Sequence, residues 1–256
     1  MLLQIEGLTK VFGGVTAVNH LDVSLEDGEI LGLIGPNGSG KTTAFNLIAG
    51  VHKPTKGKII FGGRDITGRK PHVITAAGIA RTFQTSELFH GISVAEHVIT
   101  GRHCRTRESL WGALTRNKAS QREEKENLQI AIKLLEFTKL VDRKDSAIET
   151  LSCAQQRLLM IATALATHPR LVLLDEPTAG MNGEETDQAV RMIRNIRERG
   201  VAVFLIEHNM RVAMNQCDRI VVLNYGEKIG EGSPYDVAHD KRVIAAYLGE
   251  EWLAKT

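Results

Sequence analysis

An apolar run, Ile30-Leu31-Gly32-Leu33-Ile34, ends in Gly35-Pro36-Asn37-Gly38-Ser39-Gly40-Lys41-Thr42, and the residues that follow contain neither Pro nor Gly until Gly50. This order reads as strand, glycine-rich loop and helix, and the string matches the pattern G-x-x-x-x-G-K-[ST]. Glycines let successive backbone N–H groups turn inward onto phosphate oxygens, and the start of the helix adds a favourable dipole. Lys41, expected on a solvent-facing loop, is placed to reach β- and γ-phosphates, and the Thr42 hydroxyl to ligate Mg²⁺. The expected ligand is a nucleoside triphosphate lying against residues 35 to 43, which brings Thr43 into the set.

Leu171-Val172-Leu173-Leu174-Asp175-Glu176 is a second informative string. A buried parallel strand delivers both carboxylates at its C-terminal edge, where ligands bind in such sheets. Alternation along the strand sends the two side chains apart. Asp175 is then free to hold a metal through water while Glu176 faces the space beyond the γ-phosphate. Two other polar residues follow apolar runs, Gln84 after residues 79–83 and His208 after residues 201–206 and Glu207. A lone His or Gln is more often structural, but beside a phosphate loop and an acidic strand end both become site candidates.

The chain has 256 residues, 43% of them hydrophobic and 24% charged, which suits a folded α/β domain and not a fibre or a disordered tail. A formal charge of +2 gives no ground for a nucleic-acid partner. Cys104, Cys153 and Cys217 are scattered and lack metal-ligand spacing, so a reducing compartment is expected. No apolar run approaches the roughly 20 residues that span a bilayer. Antiparallel strands are expected at residues 2–5, 15–18 and 20–25, with a further strand at 57–61. Strands and helices alternate after residue 170, with strands at 171–174, 201–206 and 219–223 and a helix at 184–199. Asn182 with Glu185 forms a capping box that fixes that helix's start. Between residues 72 and 170 the pattern is helical, with Leu128, Ala131, Ile132 and Leu135 on one face of a charged segment. The expected organisation is one domain: residues 1–71 and 171–256 form a nucleotide-binding core with a β subdomain, and residues 72–170 an inserted helical subdomain. The charged stretch 102–125 reads as a solvated helix pair or a contact for anionic headgroups.

The order of the phosphate loop, Gln84, Leu151-Ser152-Cys153-Ala154-Gln155-Gln156-Arg157, residues 171–176, Ala179-Gly180-Met181-Asn182 and His208 resembles the ATP-binding cassette (ABC) ATPases over essentially the whole chain. Arg81-Thr82-Phe83-Gln84, Gly101-Arg102-His103, Glu207-His208-Asn209-Met210, Tyr225-Gly226-Glu227-Lys228-Ile229 and Arg242 to Gly249 are similar to one ATP-binding subunit of bacterial branched-chain amino acid importers, the longer of the two usually encoded. The resemblance implies a P-loop NTPase fold with a parallel-sheet core, ATP and Mg²⁺ as ligands, and hydrolysis that powers a membrane importer. It implies that Phe12 stacks on adenine, that Gln84 contacts Mg²⁺ and the attacking water, that Glu176 is the general base and that His208 holds the γ-phosphate. Asn182 is then in a loop crossing a dimer interface. The implied partners are a second ATP-binding subunit, identical or not, two membrane permeases and, indirectly, a solute-binding protein. The implied location is peripheral, on the cytoplasmic face of the inner or plasma membrane.

The signature motif, Ser152 to Gln155, acts in this family on ATP bound by the partner, and here it departs from the usual Leu-Ser-Gly-Gly-Gln at Cys153 and Ala154. If those positions need positive φ, each side chain costs roughly 1 to 2 kcal/mol. If they begin a helix, their N–H groups still face a phosphate and Ala outperforms Gly. The helical character of residues 155–166 favours the second. The alternatives to an importer ATPase are a nucleotide-binding partner with little hydrolysis of its own, and a cassette serving urea, amide or lipid transport.

Overall fold

The computed structural model describes residues 1–82, 89, 91–105 and 118–248. The chain opens with β1 (Leu3–Phe12), β2 (Val15–Leu25) and β3 (Ile30–Ile34), followed by α1 (Lys41–Ile48), β4 (Lys56–Phe61) and β5 (Arg64–Asp65). Next come α2 (Pro71–Ala77), β6 (Ile79–Arg81), α3 (Val94–Thr100), α4 (Lys118–Phe137) and α5 (Cys153–Ala166). The final part holds β7 (Leu171–Asp175), α6 (Gly183–Glu198), β8 (Ala202–Ile206), α7 (Met210–Gln216), β9 (Arg219–Asn224), β10 (Glu227–Gly232), α8 (Pro234–His239) and α9 (Lys241–Leu248).

Two sheets organise these elements. A four-stranded antiparallel sheet has the order β2-β1-β4-β5, and a six-stranded sheet the order β10-β9-β3-β8-β7-β6. In the larger sheet β9, β3, β8, β7 and β6 run parallel and only β10 is antiparallel. The parallel strands are short and continuously apolar because both faces are covered. Alternate residues of each strand enter different cores, as the two-residue period requires. Ile30, Ile34, Val172, Leu174, Val203 and Leu205 join the core shared with the helical part. Leu31, Leu33, Leu171, Leu173, Phe204 and Ile206 join the core shared with α1 and the antiparallel sheet, where Phe45 packs on Phe204 at 5.0 Å between ring centroids.

Several expectations are corrected. Residues 15–25 form one strand and not two, with His20 at φ 47 and shifted register marking an irregularity inside it. Residues 79–81 pair with β7 as the edge strand of the core sheet, a strand inside the stretch expected to be helical from about residue 72, where α2 covers residues 71–77. Leu128 is 42% exposed, whereas Ala131, Leu134 and Leu135 are buried against α3 and α5. The apolar face of α4 therefore lies one turn nearer its C-terminus than residues 128–135 suggested. Much of 102–125 lies outside the described residues, and Arg122 and Lys125 on α4 are exposed.

Gly32 at the centre of β3 shows how tightly this sheet is covered. A Cβ there lies 2.7 Å from Cys217 Sγ and 3.3 Å from Ile220. Gly32→Ala is expected to lower unfolding free energy in a urea titration by about 1–3 kcal/mol, the usual cost of overpacking, and Cys217→Ala in the same chain to recover part of it.

Candidate nucleotide site

The loop between β3 and α1 is held from two sides. The Gly226 N–H donates to the Ser39 carbonyl at 3.0 Å, and the Ser39 N–H donates to the Pro36 carbonyl at 3.2 Å. A Cβ on Gly35 falls 2.1 Å from the Leu223 carbonyl oxygen, and one on Gly40 falls 2.3 Å from that of Ala17. Gly40 also has φ 100, a conformation that glycine adopts without steric cost. The loop is thus wedged between the end of β9 and the β1–β2 hairpin, whose tip carries Phe12 paired with Val15.

Helix α1 starts at Lys41 with no side-chain cap and no acidic residue in its first turn. By contrast α3, α5, α6 and α8 are closed by capping boxes from Ser93, Ser152, Asn182 and Ser233. Free N–H groups at a helix start are a ready anion site. Lys41 corrects the expectation of a solvent-facing side chain, because it is only 5% exposed. Its Nζ donates to the carbonyls of Gly35 at 2.7 Å and Pro36 at 2.9 Å. Burial lowers its pKa, and the nearby Glu176 and Asp175 carboxylates oppose that. Of the remaining loop residues, Asn37, Gly38 and Thr42 are exposed and Ser39 is buried.

Asp175 and Glu176 stand at the end of β7 and part as expected, for a different reason. Glu176 has φ 49, so the chain has left the extended conformation before strand alternation could separate the pair. Asp175 Oδ2 accepts from Arg81 Nη2 at 3.0 Å, with side chains 4% and 9% exposed. Burial raises the Asp175 pKa, and the Arg81 guanidinium pulls against that rise. Arg81 also donates to Asn46 on α1, tying β6, β7 and the phosphate-loop helix together. Glu176 Oε1 lies 2.8 Å from His208 Nε2, and both side chains remain partly open to solvent. The parallel register pairing Asp175 with Ile206 brings these two loops side by side.

Phe12 is 41% exposed, with His52 edge-on at 5.3 Å and the Lys10 ammonium 4.7 Å from the ring centroid. Gln84 lies outside the described residues. Ser152, Cys153, Ala154 and Gln155 form a separate group. Ser152 caps α5, accepting from the Gln155 N–H at 3.2 Å while the Gln155 side chain accepts from the Ser152 N–H at 3.0 Å. Cys153 and Ala154 are the first helical residues, and neither has positive φ. The start of α5 and the start of α6, where Asn182 accepts from the Glu185 N–H at 2.9 Å, border a common cleft of about 270 Å³.

Arg81 and Tyr247 were visible in the sequence only as parts of longer strings. Arg81 directly follows the apolar pair Ile79-Ala80, but only the pairing of β6 with β7 places it beside Asp175. Tyr247 on α9 stands near the phosphate loop; desolvation pushes its phenol up to about 12, and the Gly35 backbone opposes the rise.

Comparison with known proteins agrees with this geometry. The family model described as "ABC transporter" matches residues 18–179, and the chain belongs to that family. It is an ATP-hydrolysing, ATP-binding subunit of that class. A second model, "Branched-chain amino acid ATP-binding cassette transporter", matches residues 227–252. The high-affinity branched-chain amino acid transport ATP-binding protein BraF of Pseudomonas aeruginosa is 39% identical over 250 residues, covering 97% of this chain and 98% of its own. LivG of Escherichia coli K12, with the same description, is 37% identical over 250 residues, with the same coverage. A nucleotide-free ATP-binding cassette from an ABC transporter superposes with a TM-score of 0.85 at 32% identity, covering 97% of this chain and 99% of that one. The ADP conformation of the cassette MJ1267 gives 0.84 at 32% identity, with the same coverage. Within the family, the chain falls in the branch of these branched-chain amino acid transport ATP-binding proteins.

The two carbonyl contacts of Lys41 are replaceable by phosphate oxygens, a stronger partner for an ammonium. Lys41→Ala is expected to weaken ATP binding roughly 100-fold or more, the equivalent of one to two charge-assisted hydrogen bonds. Calorimetry reads the affinity, and an unchanged far-UV circular dichroism spectrum separates it from unfolding.

Proposed function

We propose that the chain powers import of branched-chain amino acids by binding ATP on residues 35 to 43 and hydrolysing it with Glu176 as general base. The observation that carries the catalytic part is the 2.8 Å contact between Glu176 and His208 at the edge of the sheet that also presents Lys41. The relatives' described role in high-affinity branched-chain amino acid transport supports the solute.

A triphosphate entering the uncapped start of α1 draws the Lys41 ammonium off the Gly35 and Pro36 carbonyls and onto its β- and γ-phosphates. His208 Nε2–H exchanges Glu176 Oε1 for a γ-phosphate oxygen. Glu176, released from that contact, accepts the proton of a water whose oxygen bonds to the γ-phosphorus as the bond from that phosphorus to the β–γ bridging oxygen breaks, giving ADP and inorganic phosphate. Phe12, partly exposed at the hairpin tip, offers an aromatic ring for the base, where stacking tolerates any purine or pyrimidine. Gln84 retains the role that the family resemblance gives it, beside the attacking water and Mg²⁺.

Mg²⁺ fits the residues present. Such an ion uses one or two protein oxygens and takes the rest from phosphates and water. The Thr42 hydroxyl and the Asp175 carboxylate supply those oxygens, and among the described residues no cluster of three His, Cys, Asp or Glu offers a protein-only cage. The ion neutralises charge on the phosphates. Asp175 Oδ2 accepts from Arg81, and the carboxylate's other oxygen would hold the ion through water.

The signature group supports a two-cassette arrangement. The Ser152 cap takes up the Gln155 N–H and not those of Cys153 and Ala154, and the start of α5 shares a cleft with the start of α6. Ser152 and those two N–H groups are placed for ATP held by a second cassette, like or unlike this one. Because Cys153 and Ala154 adopt ordinary helical conformations, the departure from glycine carries no backbone strain and does not favour an inactive partner. Among the described residues no helix is long and apolar enough to cross a membrane. The relatives' description as transport ATP-binding proteins supports a peripheral place at the cytoplasmic face, with two permeases and a solute-binding protein beyond them.

Glu176→Gln keeps the side chain's size and its contact with His208 but removes the base. The expected result is MgATP affinity within about three-fold of wild type and turnover lower by roughly 100-fold or more, the usual contribution of a positioned base. Leucine-stimulated ATPase of the transporter reconstituted in vesicles checks the solute together with the chemistry.

A further inference from the structure

Glu207 is the most buried carboxylate among the described residues, at 3% exposure, and neither resemblance nor spacing gave it a role. Its Oε1 accepts from the Thr178 hydroxyl at 2.6 Å and from the Thr178 N–H at 3.2 Å. Its Oε2 accepts from the Asn209 N–H at 3.3 Å. Burial raises its pKa, and this ring of donors opposes the rise. No basic side chain pairs with it among the described residues.

The donors come from two loops. Thr178 lies two residues past Glu176, in the segment that turns from β7 toward Asn182; Asn209 and His208 follow β8. Glu176 is itself in the left-handed region, and its N–H donates to Ile206 O at 3.0 Å. The strands fix the loops only as far as Asp175 and Ile206. Beyond that register, Glu207 joins the segment carrying Glu176 to the segment carrying His208.

We propose that Glu207 is a positioning residue, whose buried carboxylate clasps the two loops and so sets the contact between Glu176 and His208. The chemistry explains the residue type. Backbone N–H groups cannot reverse their polarity, so a group between them must accept on both oxygens. A carboxylate does so; an amide of the same shape turns an NH₂ toward one of the loops and leaves donor facing donor. An apolar residue leaves buried donors unpaired. The desolvation of an ionised carboxylate is tolerated here because the hydrogen bonds converge on it.

This inference rests on the hydrolytic reading above only for its effect on turnover; the clasp itself has a separate readout. The test uses the full-length chain with ring-labelled histidine, following the His208 imidazole by NMR alongside steady-state ATPase. Glu207→Gln is expected to shift the His208 ring signals toward those of a solvent-exposed histidine, to lower kcat at least ten-fold and to leave the KM for ATP within two-fold. Thr178→Val, which removes the hydroxyl and keeps the carboxylate, is expected to give a smaller change in the same direction, and Thr178→Ser to restore most of it. That series stands if Glu207→Gln fails to fold. Wild-type His208 signals in both Glu207→Gln and Thr178→Val would overturn the clasp, as would a loss expressed wholly in KM. Shifted His208 signals with full turnover in Glu176→Gln would uphold the clasp and remove the general-base reading instead.

Discussion

Parallel pairing of β3, β8 and β7 is the constraint on which the site depends. Each strand is five residues long and buried on both faces, so its side chains are committed to packing and its chemistry must lie in the loop that follows. Parallel register then brings those loops to one edge: residues 35 to 40 after β3, Glu176 after β7 and His208 after β8. The antiparallel sheet contributes from the side, pressing the Ala17 carbonyl against Gly40 and presenting Phe12 at the hairpin tip. A sheet of alternating polar and apolar residues would expose one face and could not anchor three loops this closely.

Buried charge is the second theme, and each instance is satisfied by other groups of the chain. The Lys41 ammonium rests on backbone carbonyls, the Asp175 carboxylate on Arg81, and the Glu207 carboxylate on loop donors. An unpaired charge at any of these depths would be costly enough to shift its protonation or distort the fold. In the proposed mechanism, binding is an exchange of partners, with phosphate oxygens replacing carbonyls at Lys41 and a carboxylate at His208.

What was legible in the sequence was local. The phosphate loop is a string of glycines whose backbone demands are met within a few residues. The cap at Asn182 needs only the side chain three positions on, and the apolar strand before Asp175 announces its own end. Contacts between distant segments were not legible: Arg81 meets Asp175 across 94 positions and Thr178 meets Glu207 across 29. A three-residue edge strand such as β6 has no periodicity to read, so its membership in the core emerged only from its pairing with β7. The face of α4 was misread at Leu128 because a charged helix offers two overlapping apolar stripes, and only the packing of α3 and α5 chooses between them.

The account turns on a triphosphate settling into the loop that ends β3. Titration of purified chain with ATP in a calorimeter, with magnesium and then with the ion chelated, tests this most directly. One molecule of ATP bound per chain, with micromolar affinity that weakens on chelation, is the predicted result. Heats indistinguishable from dilution under both conditions would contradict it.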